Sequence, residues 1–521
     1  MSVQTTVPAS HADAAVARAA SGQMPLSELL SQAQVHQSTG DQTAAEQLYA
    51  TWIAHTASPL LHVALFNRGT LLTALERRDE AAECYLRAIE FSPAFAQARL
   101  NLGNLFERKG EHESALSQWR TVAENEALPA DLRVLGWNNL GRLQETLRRF
   151  PEAEGSLKAS LEIKPRQFDV IQHYVHLRQK QCAWPIYQPV GEVTPNMLLT
   201  GTSLLAMMGL SDDPALQLLS AQRFVHERVP KPPAEPMFAA FPKREGKIKV
   251  GYLSGDLHMH AVGLLMPELL ELHDRSRFEV FGFCWTPEGN HPQRQRLLAA
   301  MDQHVRLAGV DDNTAARLIA QAGIDVLVDL QGLTSGARPG ILVQRPAPVQ
   351  VSYLGLPGTA ALPGVDWILA DRFVMPPDLL KYCTERPMYV PHCYQVSDRK
   401  RLVGPMPTRA ANNLPEDAFV YCSFNNNHKF TPEVFRSWMR VLHAVDNSVL
   451  WLLADNDTSR ENLLREADAM GVARERLIFA GRAAPPDYLA RFQLADLMLD
   501  TFPYNAGTTA SDALWMGLPI L

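Results

Sequence analysis

The sequence predicts an α plus α/β protein, a helical repeat array followed by two parallel-sheet lobes with a cleft between them. Three observations carry this. Small and large residues recur at an interval of 34 through the first 165 residues. A proline run, Pro230–Pro236, closes the helical region. Beyond it, short runs of Val, Ile, Leu and aromatics alternate with helical stretches, the pattern of a sheet covered on both faces.

The repeat comes first in the chain. Gly69, Ala81, Tyr85, Ala88 and Pro93 stand at the spacing of a tetratricopeptide repeat. Gly103, Ala115 and Trp119 repeat it 34 residues later. Gly141, Ala153 and Pro165 repeat it again, after a four-residue insertion around 124–129. A weaker first copy runs through Ala33, Gly40, Ala45 and Tyr49. Gly and Ala are needed where paired helices approach closely, and large residues fill the gap to the next pair. No single pair can bury its apolar face, so the copies must stack. Asn67, Asn101 and Asn139 each lie two residues before the repeat glycine. Equivalent positions of a solenoid align on one face. An Asn ladder there would offer donors and acceptors to the backbone of an extended peptide. The plainer alternative is a solvated polar position that is Asn three times.

From Gln167 to Arg228 the pattern stays helical without the repeat register, with Ala215–Val229 clearly amphipathic. Strands are then expected at Ile248–Ser254, Phe278–Trp285, Ile324–Leu330, Pro348–Leu354 and Val365–Asp371. After a polar break at Arg399–Asn413, a second set is expected at Phe419–Phe424, Ser448–Leu453, Leu477–Ala480, Leu497–Asp500 and Pro519–Leu521. The expected organisation is a flexible tail over 1–25, repeats over 26–165 and a helical linker over 166–236. Lobe one covers 237–400 and lobe two 401–521, the latter incomplete at its C-terminal end. Both lobes read as Rossmann-like, so ligands are expected beyond the carboxyl ends of the strands.

Composition excludes several classes. Charge is −7, from 49 basic and 56 acidic residues, and no basic stripe appears, so nucleic acid is not an expected partner. No apolar run is long enough to span a bilayer, and the N-terminus lacks a basic segment followed by an apolar one. The six cysteines are scattered with no CxxC pair, which supports neither a disulfide framework nor a zinc site. A cytoplasmic location is expected. No Walker loop and no GxGxxG fingerprint occurs, so ATP hydrolysis and hydride transfer lose support.

Candidate chemistry clusters at strand ends. The segment from Leu497 to Leu521 reads as strand, small-residue turn, helix from about Thr508, then strand. A helix start offers unpaired N–H groups and partial positive charge, which with the Thr508 and Thr509 hydroxyls suits a diphosphate. Asp512, one turn on, can accept from ribose hydroxyls. Without other context the same residues read as a helix cap and a dipole partner. Asp256 and His260 leave the first strand of lobe one and can reach a cleft as base and proton partner; taken alone they are turn residues. The segments 331–338 and 354–359 are glycine-rich exits that let a ligand approach the backbone. In lobe two, Cys422–Lys429 leaves a strand with Asn425, Asn426, Asn427 and His428 ahead of Lys429. Lys429 is a point charge suited to phosphate, or an ordinary solvated lysine.

These blocks together resemble the bacterial O-GlcNAc transferases, in particular the Xanthomonas-type homologues, which are tetratricopeptide-repeat glycosyltransferases acting on Ser and Thr of intracellular proteins. The resemblance spans the repeats, the linker with Cys182–Trp184, and both lobes. It implies a GT-B fold, UDP-GlcNAc as donor, UDP as product, protein or peptide acceptors, and no cofactor or metal. It implies that Lys429 neutralises the leaving diphosphate, that Thr508 and Thr509 hold it, and that Asp512 takes the ribose. Asn426 joins the donor-binding set. Asp256 and His260 would flank sugar and acceptor, with the base unsettled. Leu354 and Gly355 would touch the sugar, Tyr488 and Arg491 the uridine, and Asn67, Asn101 and Asn139 the acceptor chain. The chain departs from the animal enzymes in having Gly507 before the Thr pair and Tyr488 where a stacking His stands. It also lacks the long insertion between the lobes and a clear histidine counterpart near Thr194–Ser203. The resemblance implies that lobe two continues beyond Leu521. Two alternatives stay open: a protein O-fucosyltransferase using GDP-fucose, and a repeat scaffold with vestigial lobes.

Overall fold

The computed structural model describes residues 11–238, 246–454 and 456–521. One compact unit runs to Val170 and includes Val190–Val193; the other comprises Ile171–Pro189 and Thr194–Leu521.

The first unit is built of helix pairs. They are Leu26–Ser38 with Gln42–His55, Leu61–Ala74 with Arg78–Phe91, Ala96–Arg108 with His112–Ala123, and Ala130–Thr146 with Phe150–Ile163. The repeat glycines are needed for close approach. A Cβ on Gly69 would meet the Tyr85 ring, one on Gly103 the Trp119 indole, and one on Gly141 the Leu157 side chain. Each partner lies 16 residues on, so the same small-against-large contact closes three successive pairs. The expected tail differs: residues 1–10 lie outside the described residues, but His11–Ala20 is a helix with Ala19 fully buried. Six of its ten residues are alanine, the strongest helix former, and the repeat core gives it a surface to cover.

In the second unit, the helices Pro195–Gly201, Leu204–Leu210 and Pro214–Arg228 precede the first lobe. Cys182 packs in the core of lobe two, and Leu204 and Met208 in that of lobe one.

Lobe one is a parallel sheet of β1 (Ile248–Ser254), β2 (Phe278–Cys284), β3 (Gln303–Arg306), β4 (Val326–Asp329), β5 (Val349–Ser352), β6 (Trp367–Ala370) and β7 (Arg386–Tyr389). Its order is β3-β2-β1-β4-β5-β6-β7. The two edge strands, β3 and β7, were not expected from the sequence. Each buries little, so neither carries an apolar run. Lobe two holds β8 (Phe419–Ser423), β9 (Ser448–Leu453), β10 (Leu477–Ala480) and β11 (Leu497–Met498) in the order β10-β9-β8-β11. The expected strand at Pro519–Leu521 is a single parallel bridge, Met498 to Ile520.

Strand order reverses between β1 and β4 in lobe one and between β8 and β11 in lobe two. At such a switch point neighbouring loops diverge to opposite faces and leave a crevice at the strands' carboxyl ends. The exits of β1, β4, β8 and β11 are therefore where a ligand belongs.

Candidate functional site

Lobe two supplies the charged half of the site. After β8 the chain runs through three asparagines with different tasks. Asn427 is fully buried; its amide donates to Leu453 O at 2.7 Å and its oxygen accepts from Ser459 Oγ at 3.1 Å. That fixes the β8 exit to the end of β9. Asn425, 1% exposed, donates to Asp500 Oδ1 at 3.2 Å. Asn426 is exposed at the turn. Lys429 follows in the short turn Asn427–Lys429 and donates from Nζ to Asn505 O at 3.0 Å. The Nζ sits 3.8 Å from the Tyr504 ring centroid. Burial pushes this ammonium down to about 8, and the Asp500 carboxylate opposes the shift.

Asp500 organises the second exit of this lobe. Its carboxylate accepts from the backbone N–H groups of Thr501 and Ala506, at 2.7 and 2.9 Å, and from Asn505 Nδ2 at 3.2 Å. The loop so shaped ends at Gly507, and the helix Thr508–Trp515 begins there with no side-chain cap. Its first N–H groups are left for a ligand, with the positive end of the helix behind them.

Lobe one supplies an imidazole and backbone. Gln331, 2% exposed, accepts on Oε1 from Gly255 N at 2.8 Å and Ser254 Oγ at 3.3 Å. This single amide ties the β1 exit to the β4 exit. Ser254 Oγ in turn accepts from Asp256 N at 2.9 Å. His260 starts the helix Ala261–Leu265; its Nδ1 faces Val262 N at 3.4 Å and Asp256 Oδ2 at 3.6 Å. Both contacts fall on Nδ1, which leaves Nε2 for a ligand. His258 lies 3.9 Å from the other Asp256 oxygen; burial lowers its pKa, against the pull of Asp256. Beyond β5, Leu354 takes a left-handed backbone with φ 67°, and a Cβ on Gly355 would strike the Leu330 carbonyl. Only glycine fits there.

These pieces meet around one cavity of about 250 Å³. His260, Leu354 and Gly355 line it from lobe one, and Asn426, Lys429, Thr508 and Thr509 from lobe two. Asn425, from the asparagine run ahead of Lys429, also lines it, as do Gln395 and Tyr504, which the sequence did not single out. Tyr504 lies inside the expected strand-turn-helix segment, but Gln395 sits in a connecting loop without any motif.

Four expected residues are placed otherwise. Asp256 is not on the cavity wall; it stands behind His260, its side chain 18% exposed, because its backbone N–H turns back onto Ser254. Arg491 is 4% exposed, donates to Gly481 O at 2.9 Å, and lies 4.1 Å from the Phe424 ring and 4.6 Å from the Tyr488 ring. Tyr488 presents a face to that guanidinium and an edge-on contact to Phe492. Arg491 belongs to the packing behind the site; Tyr488 is partly exposed and its side chain hydrogen-bonds Thr509 of the wall. Asp512 is 3% exposed and takes the guanidinium of Arg401; burial raises its pKa and Arg401 opposes. In the repeats, Asn67, Asn101 and Asn139 occupy the first helices of successive pairs, each half-buried. Asn67 already donates to Val63 O at 2.8 Å and Asn101 to Tyr85 Oη at 3.5 Å.

The geometry agrees with known proteins. The family described as Glycosyl transferase family 41 matches residues 229–410 and 404–521, and a TPR repeat matches residues 69–110. The chain is 35% identical over 288 residues to an Arabidopsis thaliana protein named as a probable UDP-N-acetylglucosamine–peptide N-acetylglucosaminyltransferase SEC, covering 54% of this chain and 30% of that one. It is 26% identical over 388 residues to the Caenorhabditis elegans UDP-N-acetylglucosamine–peptide N-acetylglucosaminyltransferase, covering 53% of this chain and 34% of that one. The chain thus spans about a third of the length of these curated relatives. A solved Thermobaculum terrenum O-GlcNAc transferase mutant superposes with a TM-score of 0.57 at 24% identity, over 98% of this chain and 83% of that chain. At that identity it speaks to the fold alone, a repeat region joined to a two-lobed transferase.

Proposed function

The chain belongs to glycosyl transferase family 41, and from that premise we propose that it moves N-acetylglucosamine from UDP-GlcNAc to Ser or Thr hydroxyls of protein acceptors. One observation carries the reading: Lys429 and an uncapped helix start share a cavity with His260 and the Leu354–Gly355 backbone. A cation and free N–H groups on one wall suit a diphosphate, and a backbone and imidazole wall opposite suits a sugar and an attacking hydroxyl.

The reaction then follows from charge. The acceptor Oγ forms a bond to the anomeric carbon as that carbon's bond to the diphosphate oxygen breaks. Negative charge grows on the departing diphosphate. Lys429 Nζ and the first N–H groups of the Thr508 helix stabilise it, each well-placed donor contributing about 3–4 kcal/mol in such settings. Among the described residues Lys429 Nζ touches a backbone carbonyl and a ring face and makes no ion pair, with the Asp500 carboxylate acting on it only through space. The hydroxyl proton leaves late, to His260 on the cavity wall, to water or to an oxygen of the departing diphosphate. Val262 N–H, donating to Nδ1, sets the ring's orientation, and the Asp256 carboxylate stands 3.6 Å from the same nitrogen, placed to stabilise positive charge on the ring. The repeats would hold the rest of the acceptor.

The test is UDP release from UDP-GlcNAc, with and without a Ser/Thr-containing protein acceptor, alongside GDP-fucose as rival donor. Acceptor-dependent UDP release with sugar on the acceptor supports the reading. Transfer from GDP-fucose alone replaces the donor, and binding of neither UDP nor GDP by calorimetry removes the transferase reading altogether.

A further inference from the structure

Beyond β5 the chain forms the loop from Leu354 to Ala361, and its two ends are both non-glycine residues in the left-handed region, φ 67° at Leu354 and 51° at Ala361. Such backbone costs energy and persists only where surroundings over-determine it. The loop's front, Leu354, Gly355 and Pro357, is cavity wall. Its back is packed only in part: Leu356 and Ala360 lie in the core of lobe one, while an apolar space of about 70 Å³ borders Leu356, Pro357 and Gly358. Packing from behind therefore does not by itself fix how far the Pro357–Gly358 stretch stands into the site.

Hydrogen bonds at the far end do. Glu385, 3% exposed, accepts from Thr359 Oγ1 at 2.6 Å and from Ala360 N at 2.8 Å. Thr384 Oγ1 and Cys383 Sγ also donate to it, each at 3.2 Å. Thr359 Oγ1 accepts in turn from Ala361 N at 3.2 Å and Thr384 N at 3.3 Å. The carboxylate makes no ion pair among the described residues, so four neutral donors satisfy it. A buried carboxylate with so many donors resists displacement, because removing any one leaves charge uncompensated.

Resting on the transfer reading above, we propose that Glu385 is a positioning residue for that reaction, acting through Thr359 to set the Leu354–Pro357 wall against the sugar. The wall belongs to lobe one, whereas the diphosphate-binding groups belong to lobe two. Disturbing the anchor should therefore harm use of the sugar nucleotide and leave UDP binding alone.

The experiment compares Thr359→Val, Thr359→Ser and Glu385→Gln in the full chain. UDP release from UDP-GlcNAc with an acceptor peptide gives kcat and KM, and calorimetry gives UDP affinity. Thr359→Val and Glu385→Gln are expected to lose at least tenfold in kcat/KM with UDP affinity within threefold of wild type. Thr359→Ser, which keeps the hydroxyl, stays within threefold in both. The proposal is overturned if Thr359→Val keeps its kcat/KM, if Ser is as damaging as Val, or if UDP affinity falls in parallel. Should Glu385→Gln not fold, the Val and Ser pair decides alone. If wild type releases no UDP, the transfer reading fails on its own, and hydrogen exchange then judges the anchor. Amides 355–361 must exchange at least tenfold faster in Thr359→Val than in wild type, and unchanged exchange overturns it.

Discussion

Arg401 donates to the carboxylate of Asp512, and the two side chains are only 12% and 4% exposed. One residue opens the segment after lobe one; the other lies in the first turns of the helix that begins at Thr508. The pair thus fixes the direction in which that helix start faces. Breaking a buried pair from one side leaves a stranded charge, at a cost of about 3–5 kcal/mol. Arg401→Met should lower the melting temperature of the transferase unit by roughly 4–7 °C. Adding Asp512→Asn should recover part of the loss. Scanning calorimetry on the three proteins decides it; a double variant no better than the single would show that the charge was not the problem.

Lys429→Ala should cut turnover with UDP-GlcNAc by about two to three orders of magnitude, the effect of losing one transition-state charge partner. UDP affinity should fall less, since the helix start remains. Turnover within about threefold of wild type, under about one kcal/mol, would remove Lys429 from the reaction.

Lys429 also gives the site a pH dependence. With its pKa lowered to about 8 by burial, the free site is cationic below pH 8 and increasingly neutral above it. A bound diphosphate favours the charged form, so binding above pH 8 must take up a proton. Affinity for UDP should be flat below pH 8 and weaken by up to about tenfold per unit above it. Asp500→Asn removes the charge that props the ammonium up and should move the break to lower pH. Calorimetry in buffers of different ionisation heat would detect the proton uptake, and a break unmoved in Lys429→Met would assign it elsewhere.

His260→Ala should lower transfer by about 10²-fold or more, the lower range for a group handling a proton, with UDP affinity within threefold. Asp256→Asn should cost less, since Asp256 reaches the cavity only through the His260 ring. Steady-state rates for both variants order the two roles, and a larger loss for Asp256→Asn would reverse them.

Asn67, Asn101 and Asn139 together replaced by Ala should weaken long protein acceptors by roughly tenfold, while each single change, worth about 0.5–1.5 kcal/mol, stays mild. Short peptides should be unaffected. Equal losses for long and short acceptors would sink the ladder.

What the sequence made legible was whatever a local pattern encodes. The glycine-to-aromatic spacing announced the helix pairs, apolar runs announced the central strands, and the order Asn-Asn-Asn-His-Lys marked the β8 exit. The polar edge strands β3 and β7 escaped because they bury almost nothing. Asp256 was ranked beside His260 because both follow β1, and chain position does not tell which way a side chain turns. Arg491 carries a group suited to a nucleobase, yet its guanidinium is spent on Gly481 and on the Phe424 and Tyr488 rings. Arg401, Gln331 and Glu385 act through contacts with residues tens to more than a hundred positions away, and no local pattern carries such a contact.

The cavity's two walls differ in kind. On one sheet's side stand the cation of Lys429 and the hydrogen-bond donors of the Thr508 helix. On the other it is shape: a glycine that admits nothing larger, a left-handed leucine and one imidazole. On the proposed reading, a ligand's phosphates and its sugar would be recognised by separately encoded stretches of chain. Mutation could then remodel the choice of sugar by editing the loops of lobe one while the nucleotide grip in lobe two is inherited intact, so donor diversification would need few steps and begin in lobe one.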